Sequence, residues 1–472
     1  MLVRNNVKRY FLIGLTALVG LLLWFSPRPE AASEQGWHLL AIFVATIFGI
    51  VINALPMGSL SLIALCVILL TKTLTFSEAF SGFSHDVVWL IVLAFFVARG
   101  FIKTGLGARV SYFFMILLGK RTLGLGYGII FTDLILAPAI PSSTARAGGL
   151  LLPIVESLAG SYGSRPHSDT SKKMGSYISQ VAFHSSNITS AMFLTSMAVN
   201  PLIARLGADV GINITWASWA LAACIPGAIS LLLIPFIIYK LSPPEIKVSV
   251  EAPAMARRKL EAMGKISSQE WIMLGTFFLL LVSWVTATAT GINPTVTAMT
   301  GLVVLILTDI LTWKDIRSEE GAWETLVWFA GLLMMASELY RLGITEIFSD
   351  MMVIAVKDYS WPIVFVAISL SYFYSHYFFA SLLAHISAMY TTFLVAMISL
   401  NVPAGLAVFS LAFLSSLFGC LTQYSCGPAA VLFGTGFTST VVWWRNGFIL
   451  SIIHLIIWLG IGSIWWKFLG IW

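Results

Sequence analysis

Apolar residues in this chain gather into long runs, at roughly 10–25, 38–55, 57–71, 87–102, 175–204, 217–239, 270–289, 293–312, 323–340, 404–435 and 445–470. Most are long enough for the ~20 residues a helix needs to cross a bilayer. The pattern predicts an all-α integral membrane protein with about 11 transmembrane helices. Two further runs, 123–159 and 360–400, are interrupted in the middle by small and polar residues. That shape predicts two helices folded back on each other, a re-entrant hairpin, in place of a simple span. The first run, Tyr10 to Phe25, follows Arg4, Lys8 and Arg9 as a secretory signal would. It lacks a small-residue cleavage site and many spans follow it, so it reads as a retained helix.

Composition narrows the function classes. Of 472 residues 58% are apolar and 10% charged, with a mean hydropathy of +0.91, which no water-soluble surface of this size tolerates. The chain must be solvated by lipid. Cys66, Cys224, Cys420 and Cys426 lack the close pairing of a disulfide framework or metal site, so no metal and no cofactor is expected. The net charge of +6 is scattered over short connections, which argues against a nucleic-acid partner. An enzyme is disfavoured too: there is no His-Glu-x-x-His, no Gly-x-Ser-x-Gly and no carboxylate pair inside a span, and Asp133 and Glu338 read as isolated. A channel would show repeated polar stripes where this chain has proline-broken hairpins.

Charge also orients the chain. With the N-terminus in the cytoplasm, both hairpins re-entrant and the C-terminus outside, cytoplasmic segments hold 19 of the 27 Lys and Arg residues, as the positive-inside bias requires. A multi-pass protein of the cell's inner or plasma membrane is expected. The one long hydrophilic stretch, Leu241 to Gln269 with Pro243, Pro244 and Pro253, then reads as a cytoplasmic linker, a hinge or tether between halves. The halves repeat. Val88-Trp89 and its apolar run to Gly105-Leu106 return as Val327-Trp328 and a run to Gly343-Ile344, each followed by a short amphipathic segment and a hairpin. The two Trp residues are 239 positions apart, and the hairpin breaks, taken at Ser143 and His385, are 242 apart. The number of spans between them makes this an inverted repeat, as in secondary transporters.

Function is expected at the polar interruptions, because non-helical backbone at membrane depth persists only against protein, water or ligand. Four stand out. The first hairpin tip carries Pro138 and Pro141, then Ser142, Ser143 and Thr144 at the start of the returning helix, where free amides and the helix dipole attract anions. A broken helix behind it carries Asn187, Thr189, Thr195, Ser196 and Asn200 as support. The second tip offers Ala384, His385, Ile386 and Ser387, and the last broken helix Ser425, Cys426 and Gly427. Single hydroxyls in membrane helices usually bond their own backbone, but Ser142 to Thr144 cluster between a Pro break and a Gly-Gly pair. Arg146 has two readings, a functional cation or a side chain snorkelling to the cytoplasmic surface. His385 likewise is either functional or a packed neutral ring. His184, His376 and His454 are read as structural.

At these residues the chain resembles the divalent anion:Na+ symporter family, in its branch of citrate/succinate antiporters and plastid 2-oxoglutarate/malate translocators. The resemblance rests on Pro141-Ser142-Ser143-Thr144-Ala145-Arg146-Ala147-Gly148-Gly149, on His376-Tyr377-Phe378-Phe379-Ala380-Ser381-Leu382-Leu383-Ala384-His385, and on Gly419-Cys420-Leu421-Thr422 with Gly427-Pro428. One departure is Ser143, where the family carries Asn. Cys426 stands where relatives often have Thr, which favours a role for its backbone. The resemblance implies a homodimeric elevator with lipid bilayer and dicarboxylates as its partners. Its parts are scaffold helices over 1–122 and 270–359, a hairpin with transport helices over 123–240 and again over 360–472, and the linker 241–269. It implies C4–C5 dicarboxylates such as malate, succinate or 2-oxoglutarate, held by Ser142 to Thr144, by Ala384 to Ser387 and by Ser425 to Gly427. Arg146 and His385 are expected to supply the positive charge that sodium supplies in symporting relatives, making transport Na+-independent antiport. The rival reading is Na+- or H+-coupled symport of di- or tricarboxylates or of an inorganic divalent anion.

Overall fold

A computed structural model describes residues 2–345, 347 and 359–472, with side chains from residue 9 onward. Among the described residues it is helical throughout, apart from one isolated antiparallel bridge between Arg121 and Val248. Among the described residues six helices are long and apolar enough to cross a membrane: Glu34–Val51, Asp86–Thr104, Trp216–Leu241, Ser268–Val285, Leu382–Ser399 and Thr440–Phe468. Shorter apolar helices such as Met57–Leu70, Thr122–Leu136 and Pro294–Leu307 accompany them. Large apolar side chains on these helices face outward, among them Leu62, Phe113, Leu232 and Phe278, an exposure that lipid tolerates and water does not. Helix starts follow local chemistry. Ser267 and Glu270 form a capping box ahead of Ser268–Val285, and Asn293 caps a helix whose first residue is Pro294.

The chain divides into two compact units, each drawn from both sequence halves. One comprises 1–92, 201–213 and 320–411; the other comprises 93–200, 214–319 and 412–472. In the first unit, helix Met57–Leu70 packs on Glu320–Arg341, and Gly82 lies so close to the backbone of Ala330 that a Cβ would meet its carbonyl oxygen at 2.1 Å. This unit holds the second hairpin, helix Trp361–Tyr374 folding back as Leu382–Ser399. The amphipathic segment expected after Gly343-Ile344, and with it the end of the 270–359 segment, falls largely on residues outside those described.

The second unit holds the first hairpin and corrects the reading of Leu241 to Gln269 as a hinge or tether. Residues Glu251–Ala262 form an amphipathic helix packed against Leu106–Leu118, with Ala252 and Ala256 buried. Backbone bonds fix the approach to it: Ser249 N–H donates to Lys120 O at 3.0 Å, Thr122 N–H to Lys247 O at 3.1 Å and Glu245 N–H to Lys172 O at 3.1 Å. The Ser249 hydroxyl adds a bond to Gly119 O at 2.7 Å. The linker is polar because it lies outside the apolar interior, and it is held because its backbone groups find partners.

Candidate functional site

In the first hairpin, helix Thr122–Leu136 ends at the Pro138 and Pro141 break, and the returning helix starts at Ser143. The Ser142 hydroxyl caps it by accepting from Ala145 N–H at 3.1 Å, which leaves the amides of Ser143 and Thr144 among the unpaired first donors of the helix. Ser142 and Ser143 are half-buried and Thr144 is exposed. Three residues on, the helix widens into a π-helical turn, Ala147–Leu151, over the Gly148-Gly149 pair. Such a turn lets the chain re-aim one face of a helix without breaking it.

Arg146 is fully buried, and its guanidinium is engaged on all three nitrogens. Nε donates to Asp133 Oδ1 at 2.9 Å, one terminal nitrogen to Ile140 O at 2.7 Å and Ser196 O at 2.5 Å, the other to Ser190 Oγ at 2.8 Å and Thr189 Oγ1 at 3.5 Å. Asp133 Oδ2 in turn accepts from the Thr189 hydroxyl. Asp133 is therefore not isolated, and Arg146 does not snorkel. The guanidinium fills a nest of carbonyl, hydroxyl and carboxylate oxygens, the surroundings a bound cation needs. A buried charge is tolerable there because a counter-ion 13 positions earlier neutralises it.

The broken helix supports this nest. Helix Gly175–Met192 stops, and Asn200 Nδ2 donates to Ser190 O at 2.8 Å and Phe193 O at 2.9 Å, tying off carbonyls its end leaves open. Ser196 Oγ donates to Ser190 O at 2.7 Å. Thr195 Oγ1 donates to Pro138 O at 2.7 Å and accepts from Trp216 Nε1 at 3.1 Å, so it joins the loop to the hairpin break.

The last broken helix reaches the same hairpin tip. Helix Ala404–Leu417 leads into the turn Phe418–Cys420, and the chain restarts as Gly427–Gly434 with Pro428 in its first turn. Ser425 Oγ donates to Thr422 O at 2.8 Å and Gly419 O at 2.5 Å, fixing the turn. The Cys426 thiol donates to Asn187 Oδ1 at 3.7 Å. At Gly427 a Cβ would sit 1.9 Å from Thr144 Oγ1, so the side chain of Thr144 lies directly on the glycine and two helix starts meet there. Asn187 Nδ2, Ser186 Oγ and Thr422 Oγ1 are buried without a hydrogen-bond partner. The first N–H groups of a helix have no partner within it, and at two helix starts beside the unpaired Nδ2 of Asn187 they are donors of the kind a carboxylate takes. The structure thus brings together Ser142 to Thr144, Asn187 and Ser425 to Gly427. Sequence reasoning read Asp133 as isolated and gave Ser190 no role; a lone carboxylate in an apolar run shortly before a lone Arg was the available signal.

The second hairpin, in the other unit, has its own arrangement. Ser381 caps helix Leu382–Ser399 by accepting from Ala384 N–H at 3.4 Å. Ala384, His385 and Ile386 are fully buried, and Ser387 Oγ is buried without a partner. His385 Nε2 lies 2.9 Å from Ser375 Oγ, and its Nδ1 lies 3.1 Å from Nδ1 of His376. Of two facing ring nitrogens one must accept, so both rings cannot be imidazolium in this geometry. Tyr372 and Phe379 stack on the His385 ring at centroid distances of 4.9 and 4.6 Å.

Comparison with known proteins places these features. A family model described as the sodium:sulfate symporter transmembrane region matches residues 7–472. A candidate malate transporter of Bacillus subtilis is 51% identical over 97% of this chain and 96% of its own. The chloroplast dicarboxylate transporter 1 of Arabidopsis thaliana is 47% identical over 96% of this chain and 82% of its own. The crystal structure of the YdaH transporter of Alcanivorax borkumensis superposes with a TM-score of 0.56 over 97% of this chain and 96% of that one, at 11% identity, a likeness of fold.

Proposed function

The chain belongs to the sodium:sulfate symporter family, the divalent anion:Na+ symporters its hairpin motifs resemble, and on that premise we propose that it is a secondary carrier exchanging C4–C5 dicarboxylates across the cell membrane. Its relatives named for malate and dicarboxylates support the substrate class. The observation that carries the reading is the meeting of two helix starts at Thr144 and Gly427, beside the unpaired amide of Asn187. One carboxylate of malate, succinate or 2-oxoglutarate finds N–H donors there that are free to bond it. Ala384 to Ser387 stay assigned to the substrate on the sequence motif, at the start of a helix capped as the first one is.

Exchange without sodium is part of the proposal. The oxygen nest that a sodium ion would need is filled by the guanidinium of Arg146, paired with Asp133. Asp133 refines the expected role of that charge: the pair brings no net charge to the substrate, and its effect is to hold the hairpin tip in place. The elevator motion and the homodimer come with the family resemblance, the cytoplasmic N-terminus with the distribution of Lys and Arg, and together they complete the reading.

The test uses vesicles and labelled malate. Ser143→Ala should weaken affinity by on the order of 1.5–3 kcal/mol, a bond to a charged group lost, and Thr144→Val should do the same. Unchanged affinity in both variants means the site lies elsewhere. The rival, sodium-driven symport of an inorganic divalent anion, predicts sulfate uptake that follows a sodium gradient.

A further inference from the structure

Two histidines outside the cradle formed by Thr144, Gly427 and Asn187 are buried with ring nitrogens unpaired, although Phe183 packs on the His184 ring at a centroid distance of 4.7 Å. His184 on helix Gly175–Met192 and His454 on helix Thr440–Leu455 are 2% and 0% exposed. His184 Nδ1 and both ring nitrogens of His454 lack any hydrogen-bond partner. A neutral imidazole carries one donor and one acceptor, and leaving them unmet in a membrane interior is costly. A packing role alone is filled better by Leu or Phe.

Hydrogen bonds between the helices fix the relative heights of the two rings. Tyr177 Oη donates to Pro235 O at 3.4 Å and Trp219 Nε1 to Ala191 O at 2.8 Å, so Trp216–Leu241 runs antiparallel to Gly175–Met192. Asn446 Nδ2 donates to Ser242 Oγ at 2.8 Å and Trp458 Nε1 to Ser230 Oγ at 3.0 Å, so it runs antiparallel to the last helix as well. The helices carrying His184 and His454 are therefore parallel. Asn446 Nδ2 donates to Gln180 Oε1 and sets them level, which leaves the two histidines about one turn apart in height. A polar thread runs from one end of the bundle to Gln180, one helical turn before His184: Arg445 Nε donates to Asn446 Oδ1 at 3.1 Å, and Asn446 contacts Ser242 and Gln180. Onward, Asn187 lies three residues past His184 on the same helix face, and its amide is part of the cradle.

The charges around the pair leave its counter-ion to be supplied. On the segments packed against it the other titratable groups are Tyr177, Cys224, Tyr239, Lys240, Cys420, Cys426 and Arg445, none of them a carboxylate. From the first hairpin and the turn before Gly175 come Tyr127, Asp133, Arg146, Glu156, Asp169, Lys172 and Lys173; Asp133 is bound to Arg146, and Glu156 and Asp169 are exposed. A dianion in the cradle is the one negative charge that would face the rings from nearby.

We propose that His184 and His454 form a proton site, loaded along the Ser242–Asn446–Gln180 thread when a dicarboxylate binds, so that the dianion crosses with a proton. One imidazole nitrogen gains the proton from water on that face and returns it to water when the anion leaves. This rests on the dicarboxylate reading, and the measurement separates the two. Full-length protein in detergent is titrated with malate by calorimetry in two buffers of different ionisation enthalpy, which counts protons taken up per anion bound. Uptake approaching one proton is expected for the parent protein, and uptake near zero for His184→Gln and His454→Gln, both still binding malate. No uptake by the parent, or uptake unchanged in both variants, overturns the site. Size-exclusion profiles establish folding, with His454→Asn as the second variant. If malate does not bind, the substrate reading fails and takes with it the site that depends on the dianion, whereas binding of malate without proton uptake overturns the proton site alone.

Discussion

The two hairpins share a skeleton and differ in what holds it together. At a constant offset of 239 positions, Ser142 matches Ser381, Asp133 matches Tyr372, Arg146 matches His385 and Asn187 matches Cys426. In each hairpin a serine caps the returning helix at its third residue, and the residue four past that serine turns back onto a residue 13 positions before it. In the first hairpin that contact is an ion pair at 2.9 Å. In the second it is a ring stack at 4.9 Å, with Ser375 and His376 on the imidazole nitrogens. One repeat carries a permanent cation with its counter-ion built in; the other carries a ring whose charge depends on its partners. The pattern teaches that the position is kept for bracing the hairpin, and that the chemistry of the brace is free to change.

The largest effect should come from breaking the ionic brace. Arg146→Gln or Asp133→Asn leaves a buried charge unpaired, at about 3–5 kcal/mol, and should lower the melting temperature and abolish transport. The double variant Asp133→Asn with Arg146→Gln should be more stable than the sum of the singles predicts, because its two losses are one interaction. Additive losses would mean that the pair does not brace the tip.

Much of the fold was legible because a bilayer imposes long apolar runs, and hairpins show as runs interrupted by Pro and small polar residues. The repeat was legible from Trp89 and Trp328, but its register at the hairpins was not. Taking Ser143 and His385 as the breaks gave 242 positions, while the capping serines Ser142 and Ser381 restore 239, since a helix start is defined by which hydroxyl meets the third amide. The cradle residues were named as candidates, yet the sequence had no means of showing that Thr144 rests on Gly427. Contact between residues so far apart along the chain is a property of packing. The linker misled for a different reason: its prolines and charges suit a tether and a docked surface helix equally, and only its backbone partners distinguish the two.

The next effect in size is steric and confined to the first hairpin. Gly427→Ala should reduce malate exchange by on the order of 100-fold, since a misplaced site costs that much, and Thr144→Gly in the same chain should restore part of it by vacating the space. Failure of the second change to help, with the protein folded, would place the glycine's role elsewhere. His385→Phe keeps the stack and loses the bonds to Ser375 and His376, at about 1–2 kcal/mol. Its melting temperature should therefore fall less than that of Arg146→Gln; an equal or larger fall would erase the contrast between the braces. The smallest change sharpens the repeat itself: Ser142→Ala and Ser381→Ala should each cost about 1 kcal/mol of stability, the worth of a helix cap, measured as midpoint shifts in thermal unfolding.

The most direct test of the account is uptake of labelled malate into vesicles that carry the purified protein, with and without unlabelled dicarboxylate inside, at high and zero sodium. The account predicts rapid uptake with internal dicarboxylate, little without it, and no response to sodium. Rapid net uptake into vesicles empty of dicarboxylate, driven by an inward sodium gradient, would contradict it and make the chain a symporter.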